Sequence, residues 1–128
     1  MNRLLLIFAS FILIYPSFAN AKWEMVYQAN NWLKVYTSAD NTGSGKIMLR
    51  IEYGYPMKYL SQENDLYTTI KAKAIVDCET YTYAYYEMRY FDGNGKLTHQ
   101  TTIDPSLASK SGAQDNIHRM IMKKTCGF

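Results

Sequence analysis

Lys46-Ile47-Met48-Leu49-Arg50-Ile51-Glu52-Tyr53-Gly54-Tyr55 sets the architecture of this chain. Ile47, Leu49, Ile51 and Tyr53 fall on one side of an extended backbone, and Met48, Arg50 and Glu52 on the other. A period of two with one apolar side marks a strand buried on one face. Pro56 follows. It has no N–H to give a ladder, so the strand is expected to stop there, with Met57 to Leu66 a polar connection.

The same period returns on both sides. Downstream, Ile70, Ala72, Ala74, Val76 and Cys78 share a face; Thr69, Lys71, Lys73 and Asp77 share the other, with Ile75 out of pattern. Thr80 to Phe91 is dense in strand formers, and a tight turn near Cys78-Glu79 is expected between the two, because one strand of more than about twenty residues is improbable. Asp92-Gly93-Asn94-Gly95 supplies the positive φ of a hairpin loop, and Lys96 to Ile103 returns as the last strand. Upstream, Trp23, Met25 and Tyr27 form a short strand, Ala29-Asn30-Asn31 a turn, and Trp32 to Ser38 a second strand. Asp40 to Gly45 is a loop of turn-favouring residues.

After Asp104-Pro105-Ser106 the period changes. Ser111-x-x-Gln114 is a capping-box candidate. Ala113, Ile117, Met120 and Ile121 then fall on one helical face. Asp115 lies near the helix start and Lys123 and Lys124 near its end, the charge order a helix dipole favours, and Gly127 suits the residue after it. The chain therefore reads as α+β: an antiparallel sheet of about six strands with one C-terminal helix against a face.

The N-terminus reads as an address. One charge at Arg3, an apolar run from Leu4 to Tyr15 and Ala19-x-Ala21 have the order of a cleaved secretory signal over residues 1–21. The run is too short for the roughly 20 residues that span a bilayer, so no stable membrane anchor is expected after cleavage. Residues 22–128 form one domain, periplasmic or secreted. Arg3 is the signal's only charged residue, so 13 of the 14 Lys and Arg remain against 11 Asp and Glu, a net charge of +2. With no dense basic run, nucleic acid is not an expected partner.

Export gives Cys78 and Cys126 a role. In an oxidising compartment a lone pair most simply forms one disulfide. It would pin the helix end to the strand bearing Cys78, which by its phase points to the core. No metal is expected, since the thiols lack CxxC spacing and His99 and His118 are isolated in sequence. Asp92-x-Asn94 lacks the later ligands of a calcium loop. No catalytic residues are expected either: Gly43-Ser44-Gly45 is not a nucleophile elbow, and an enzyme would need one histidine beside a carboxylate in a cleft. No cofactor is implied by composition.

Eleven of the twelve tyrosines lie in residues 22–128. Tyr81, Tyr83 and Tyr85 form one row, and Thr82, Ala84, Tyr86, Met88 and Tyr90 the other. If the second row faces the helix, the first makes an exposed strip for a ligand or protein partner; alternatively its rings pack on neighbouring strands.

The order of landmarks resembles the surface-adhesin protein E-like family of small bacterial envelope proteins. Trp23 in a first strand, Val35-Tyr36-Thr37-Ser38-Ala39-Asp40, Glu52-Tyr53-Gly54-Tyr55-Pro56, Asp77-Cys78, Tyr90-Phe91-Asp92-Gly93-Asn94-Gly95, and Pro105-Ser106 before a helix ending in Cys126 carry the likeness over most of residues 22–128. It implies a curved antiparallel sheet with a disulfide-held helix, and a non-enzymatic binding role toward host extracellular matrix or envelope proteins; the family also includes haem binding. No ligand-binding residue carries over. No lipidation cysteine follows the signal, and Thr101-Thr102 stand where a Trp is expected. A different class of function, a periplasmic inhibitor or immunity-type protein that plugs a cell-wall hydrolase with the Asp40 to Gly45 loop, fits a compact disulfide-linked β domain as well.

Overall fold

The computed structural model describes residues 22–39, 45–60 and 62–127. The expected signal, residues 1–21, most of the Asp40 to Gly45 loop, Ser61 and Phe128 lie outside them. Six strands form a meander in sequence order: β1 Glu24–Ala29, β2 Leu33–Ala39, β3 Lys46–Tyr59, β4 Gln62–Asp77, β5 Thr82–Phe91 and β6 Leu97–Thr102. All these pairs are antiparallel. A two-residue segment, β7 Ser111–Gly112, pairs with the start of β5, and helix α1 spans Asn116–Cys126. The α+β expectation is met: an antiparallel sheet of six main strands, one C-terminal helix and a Cys78–Cys126 bridge.

The period-two pattern produces the register. Leu49 pairs with Ala72 and Ile51 with Ile70, while Val35 lies opposite Ile51. Paired residues point the same way, so the apolar sides of β2, β3 and β4 merge into one face. Leu33, Val35, Ile47, Leu49, Ile70, Ala72, Ala74 and Val76 are buried there, and α1 closes the core with Ile121 and Met122. The expected helix face was turned too far. Met120 is 41% exposed and Met122 is 0% exposed, because the buried stripe runs through Ile117, Ile121, Met122 and Cys126.

Two further expectations change. Pro56 does not end β3, and Met57 to Leu66 is not a connection: β3 and β4 continue as a long hairpin to Tyr59 and Gln62. The ladder passes from Glu52↔Thr69 to Met57↔Tyr67, leaving Gly54, Tyr55 and Pro56 in an irregularity on β3. A bulge residue need not donate to the ladder, so proline's missing N–H is harmless there. Gly54 is fixed by close approach: its N–H donates to Trp32 O at 2.8 Å, and an added Cβ would lie 2.5 Å from Asn31 O. Gly54→Ala is expected to destabilise the domain by about 1–3 kcal/mol, as overpacking does, read by urea denaturation.

The helix also starts later than expected. Ser111 and Gly112 are held on β5, so Ser111 is not the cap. Asp115 is, its side chain accepting the His118 N–H at 2.8 Å. At the other end Gly127, φ 78°, donates to Lys123 O as expected. Cys78 lies in the exposed turn after β4 rather than inside the strand. Asp77 builds that turn by accepting from the N–H groups of Glu79 and Thr80. The bridge, with Cα atoms 5.6 Å apart, thus ties the last turn of α1 to the β4–β5 turn.

Candidate functional site

One consequence of the meander is that the two ends of the sheet differ. Helix α1 lies over the end where β1 and β3 start and β4 finishes: Lys124 pairs with Glu24 on β1, and Cys126 with Cys78. The opposite end, toward the β3–β4 and β5–β6 hairpins, carries rings.

There Tyr53, Tyr67 and Tyr90 extend the core face. Tyr67 and Tyr90 meet edge to face at 4.9 Å, as do Tyr59 and Tyr90; Tyr53 meets Tyr67 at 6.0 Å. His99, paired across the ladder with Tyr90, stacks on Tyr59 at 3.9 Å and 13°. Edge-to-face pairs are the favoured geometry of aromatic rings and each adds about 0.5–1.5 kcal/mol beyond burial. The cluster is therefore preorganised. It is also reachable: Tyr59, Tyr67, Tyr90 and His99 are half-buried, and beside them Trp32 (39% exposed) stacks on Tyr55 (52% exposed). Burial, then the neighbouring phenols Tyr67, Tyr90 and Tyr55, holds Tyr53 above the ordinary tyrosine pKa. Burial does the same for Tyr67, and burial with Tyr67 and Tyr59 does so for Tyr90. These hydroxyls stay protonated near neutral pH and can both donate and accept.

The row Tyr81, Tyr83, Tyr85 is placed differently. The ladder steps from Lys73↔Glu87 to Ala74↔Tyr85, which leaves Tyr86 as the extra residue of a bulge. The bulge reverses the phase. Tyr83 and Tyr85 consequently share the core face with Met88 and Tyr90, and all four pack against the core. Tyr81 packs there too, from a turn position with φ 58°. No periodicity reveals a bulge within a run of strand formers.

At α1, Tyr83 stacks on His118 at 4.1 Å and 3°. Tyr85 Oη lies 2.7 Å from His118 Nε2, and His118 Nδ1 lies 2.7 Å from Asp115 Oδ2. His118 thus stands beside a carboxylate, as a catalytic histidine would. Both ring nitrogens are engaged, however, and the terminal hydroxyl is a phenol that burial, then Tyr83, Asp115 and Tyr53, pushes well above its ordinary pKa. The chain Asp115–His118–Tyr85 fastens the helix start to β5. Partial burial raises the Asp115 carboxyl, but the hydrogen bonds from the His118 N–H and ring outweigh it, and the net shift is downward. Asp115→Ala is expected to cost about 1 kcal/mol, the usual worth of such a cap.

Backbone N–H groups likewise hold Asp77, Asp92 and Asp104 below the ordinary carboxylate value. A carboxyl lowered in the folded state stabilises above its unfolded pKa and loses that contribution as pH falls through the folded one. The melting temperature is therefore expected to hold above pH 5 and to fall below about pH 4, measured by circular dichroism.

Asp92 Oδ1 accepts from the N–H groups of Asn94 and Lys96, so its carboxylate organises the loop. Among the described residues no group of three His, Cys, Asp or Glu is placed to hold a metal, and no helix is long and apolar enough to cross a membrane. A groove of about 470 Å³ lies between β1 and α1, lined by Met25, Val26, Met120, Lys123 and Lys124. Comparison with family models, curated proteins and solved structures gives no match.

Proposed function

We propose that this chain is an exported, non-enzymatic binding protein of the bacterial envelope, adhesin E-like, whose contact surface is the aromatic end of the sheet. The observation that carries the reading is the ring cluster Tyr53, Tyr59, Tyr67, Tyr90 and His99, at the sheet end opposite the helix and flanked by exposed Trp32 and Tyr55. Rigid aromatics with polar tips make effective protein-contact residues, because they cover area at little entropic cost. The bridge fits an oxidising compartment, in line with cleavage after Ala21 and a periplasmic or released product. No lipidation cysteine follows the signal, so surface tethering is not part of the proposal. The helix-end rings Tyr81, Tyr83 and Tyr85 serve packing in this reading.

The test uses the exported protein on a biosensor against purified host matrix proteins. Binding that falls roughly tenfold or more in Tyr59→Ser and in Trp32→Ser, with melting temperatures near that of the native protein, supports the proposal. Absence of matrix binding, together with recovery of a cell-wall hydrolase from envelope extracts, would overturn the adhesin reading and favour the inhibitor.

A further inference from the structure

The face of the sheet turned away from the core has its own pattern. Between Leu49 and Ile51, between Ile70 and Ala72, and between Met88 and Tyr90 sit Arg50, Lys71 and Arg89. The register places Arg50 opposite Lys71 and Lys71 opposite Arg89, so three cations stand in one line across three adjacent strands. Like charges directly opposite on neighbouring strands are unfavourable. Lys34, Lys46 and Lys73 lie on the same face, beside the line. From the Lys34–Glu52–Thr69–Phe91 row to the Lys46–Ile75–Ala84 row, six cations meet two carboxylates, Glu52 and Glu87. The other seven cations of residues 22–128 are outnumbered by nine carboxylates. The charge is thus segregated onto this face.

The two carboxylates leave the line only partly neutralised. Glu87 lies 3.5 Å from Lys73 and 3.6 Å from Arg89. Glu52 Oε2 is 3.0 Å from Arg50 Nε, but off the direction of its N–H, which makes no hydrogen bond. Rings interleave with the cations. Arg50 sits 4.4 Å from the Tyr36 ring and 5.0 Å from the Trp23 ring, and Lys71 lies 5.2 Å from Phe91.

We infer that this outer face binds a linear anionic polysaccharide, laid across the strands along Arg50, Lys71 and Arg89. Successive strands bring a cation forward about every 4.8 Å, a step comparable to one pyranose ring, so carboxylate or sulfate groups on successive sugars meet successive cations. Tyr36 and Phe91, near the two ends of the line, hold Arg50 and Lys71 over their ring faces and so fix where these two charges stand. This face is distinct from the aromatic end, and the inference stands independently of the adhesin proposal.

The test titrates the exported protein with heparin, with polygalacturonate, with neutral dextran and with phosphatidylglycerol vesicles, at about 50 and 200 mM salt. Binding to at least one of the charged polysaccharides, weakening with salt and absent for dextran, is expected. Lys71→Gln/Arg89→Gln should weaken it roughly tenfold while the melting temperature holds or rises, since like-charge repulsion is relieved. Lys123→Gln/Lys124→Gln removes the same charge from the helix end and should change it less than about twofold. Equal loss in both double variants would show a net-charge effect only and overturn the inference. So would undiminished binding in Lys71→Gln/Arg89→Gln, or binding to vesicles with none to either charged polysaccharide.

Discussion

Reduction of the Cys78–Cys126 bridge is expected to lower the stability of the domain by up to about 4 kcal/mol. The bridge closes a long loop, the two cysteines being 48 positions apart, and in the chain-entropy account a long loop restricts the unfolded chain most. For a domain of this size that is a large share of the usual 5–15 kcal/mol. Cys78 is exposed in the β4–β5 turn, so a reductant reaches it without prior unfolding. Urea denaturation with and without dithiothreitol reads the effect, and Cys78→Ser/Cys126→Ser should reproduce the reduced protein. The loss should fall first on α1, because the core residues of β2, β3 and β4 are held by their own ladders whereas the helix joins the sheet through packing, the bridge, the Lys124–Glu24 ion pair and the Asp115–His118–Tyr85 chain.

Met122→Ala is expected to cost about 2–5 kcal/mol. Its side chain is 0% exposed and belongs to the same buried cluster as Leu49 and Val35, so truncation leaves a cavity between helix and sheet. Met120→Ala, at an exposed position one turn-face away, should stay within about 0.5 kcal/mol. The pair separates the two helix orientations: the sequence pattern alone favoured Met120 as the buried residue, and chemical denaturation of both variants measures which one seals the core.

The strands of the central hairpin were legible because one buried face writes a period of two. The bridge was legible because two cysteines in a chain whose N-terminus reads as an export signal leave one simple pairing. The misread places share a cause. Gly54-Tyr55-Pro56 and Tyr86 occupy irregular positions in the ladder, and an irregularity depends on what the partner strand does, which no local pattern records. Pro56 then looks like a terminator, and the alternation through Tyr81, Tyr83 and Tyr85 leaves open whether that row packs or lies exposed. The helix start was displaced for a similar reason: Ser111 has the chemistry of a cap but is taken by β5, and Asp115 replaces it. The aromatic end was invisible because Tyr53, Tyr67, Tyr90 and His99 come from four strands. The basic line was equally hidden, since Arg50, Lys71 and Arg89 are each single charges in sequence and become a row only through register.

In the proposed function, α1 and its bridge seal one end of the core face and the aromatic end meets the partner. Hydroxyl-radical footprinting of the protein, free and with any host matrix protein that binds it on the biosensor, gives the deciding readout. Protection of Trp32, Tyr55, Tyr59 and His99 on binding, with Met120 and the helix surface unchanged, is the predicted result. Protection confined to Met25, Met120 and the groove between β1 and α1, with the aromatic end as reactive as in the free protein, would contradict it.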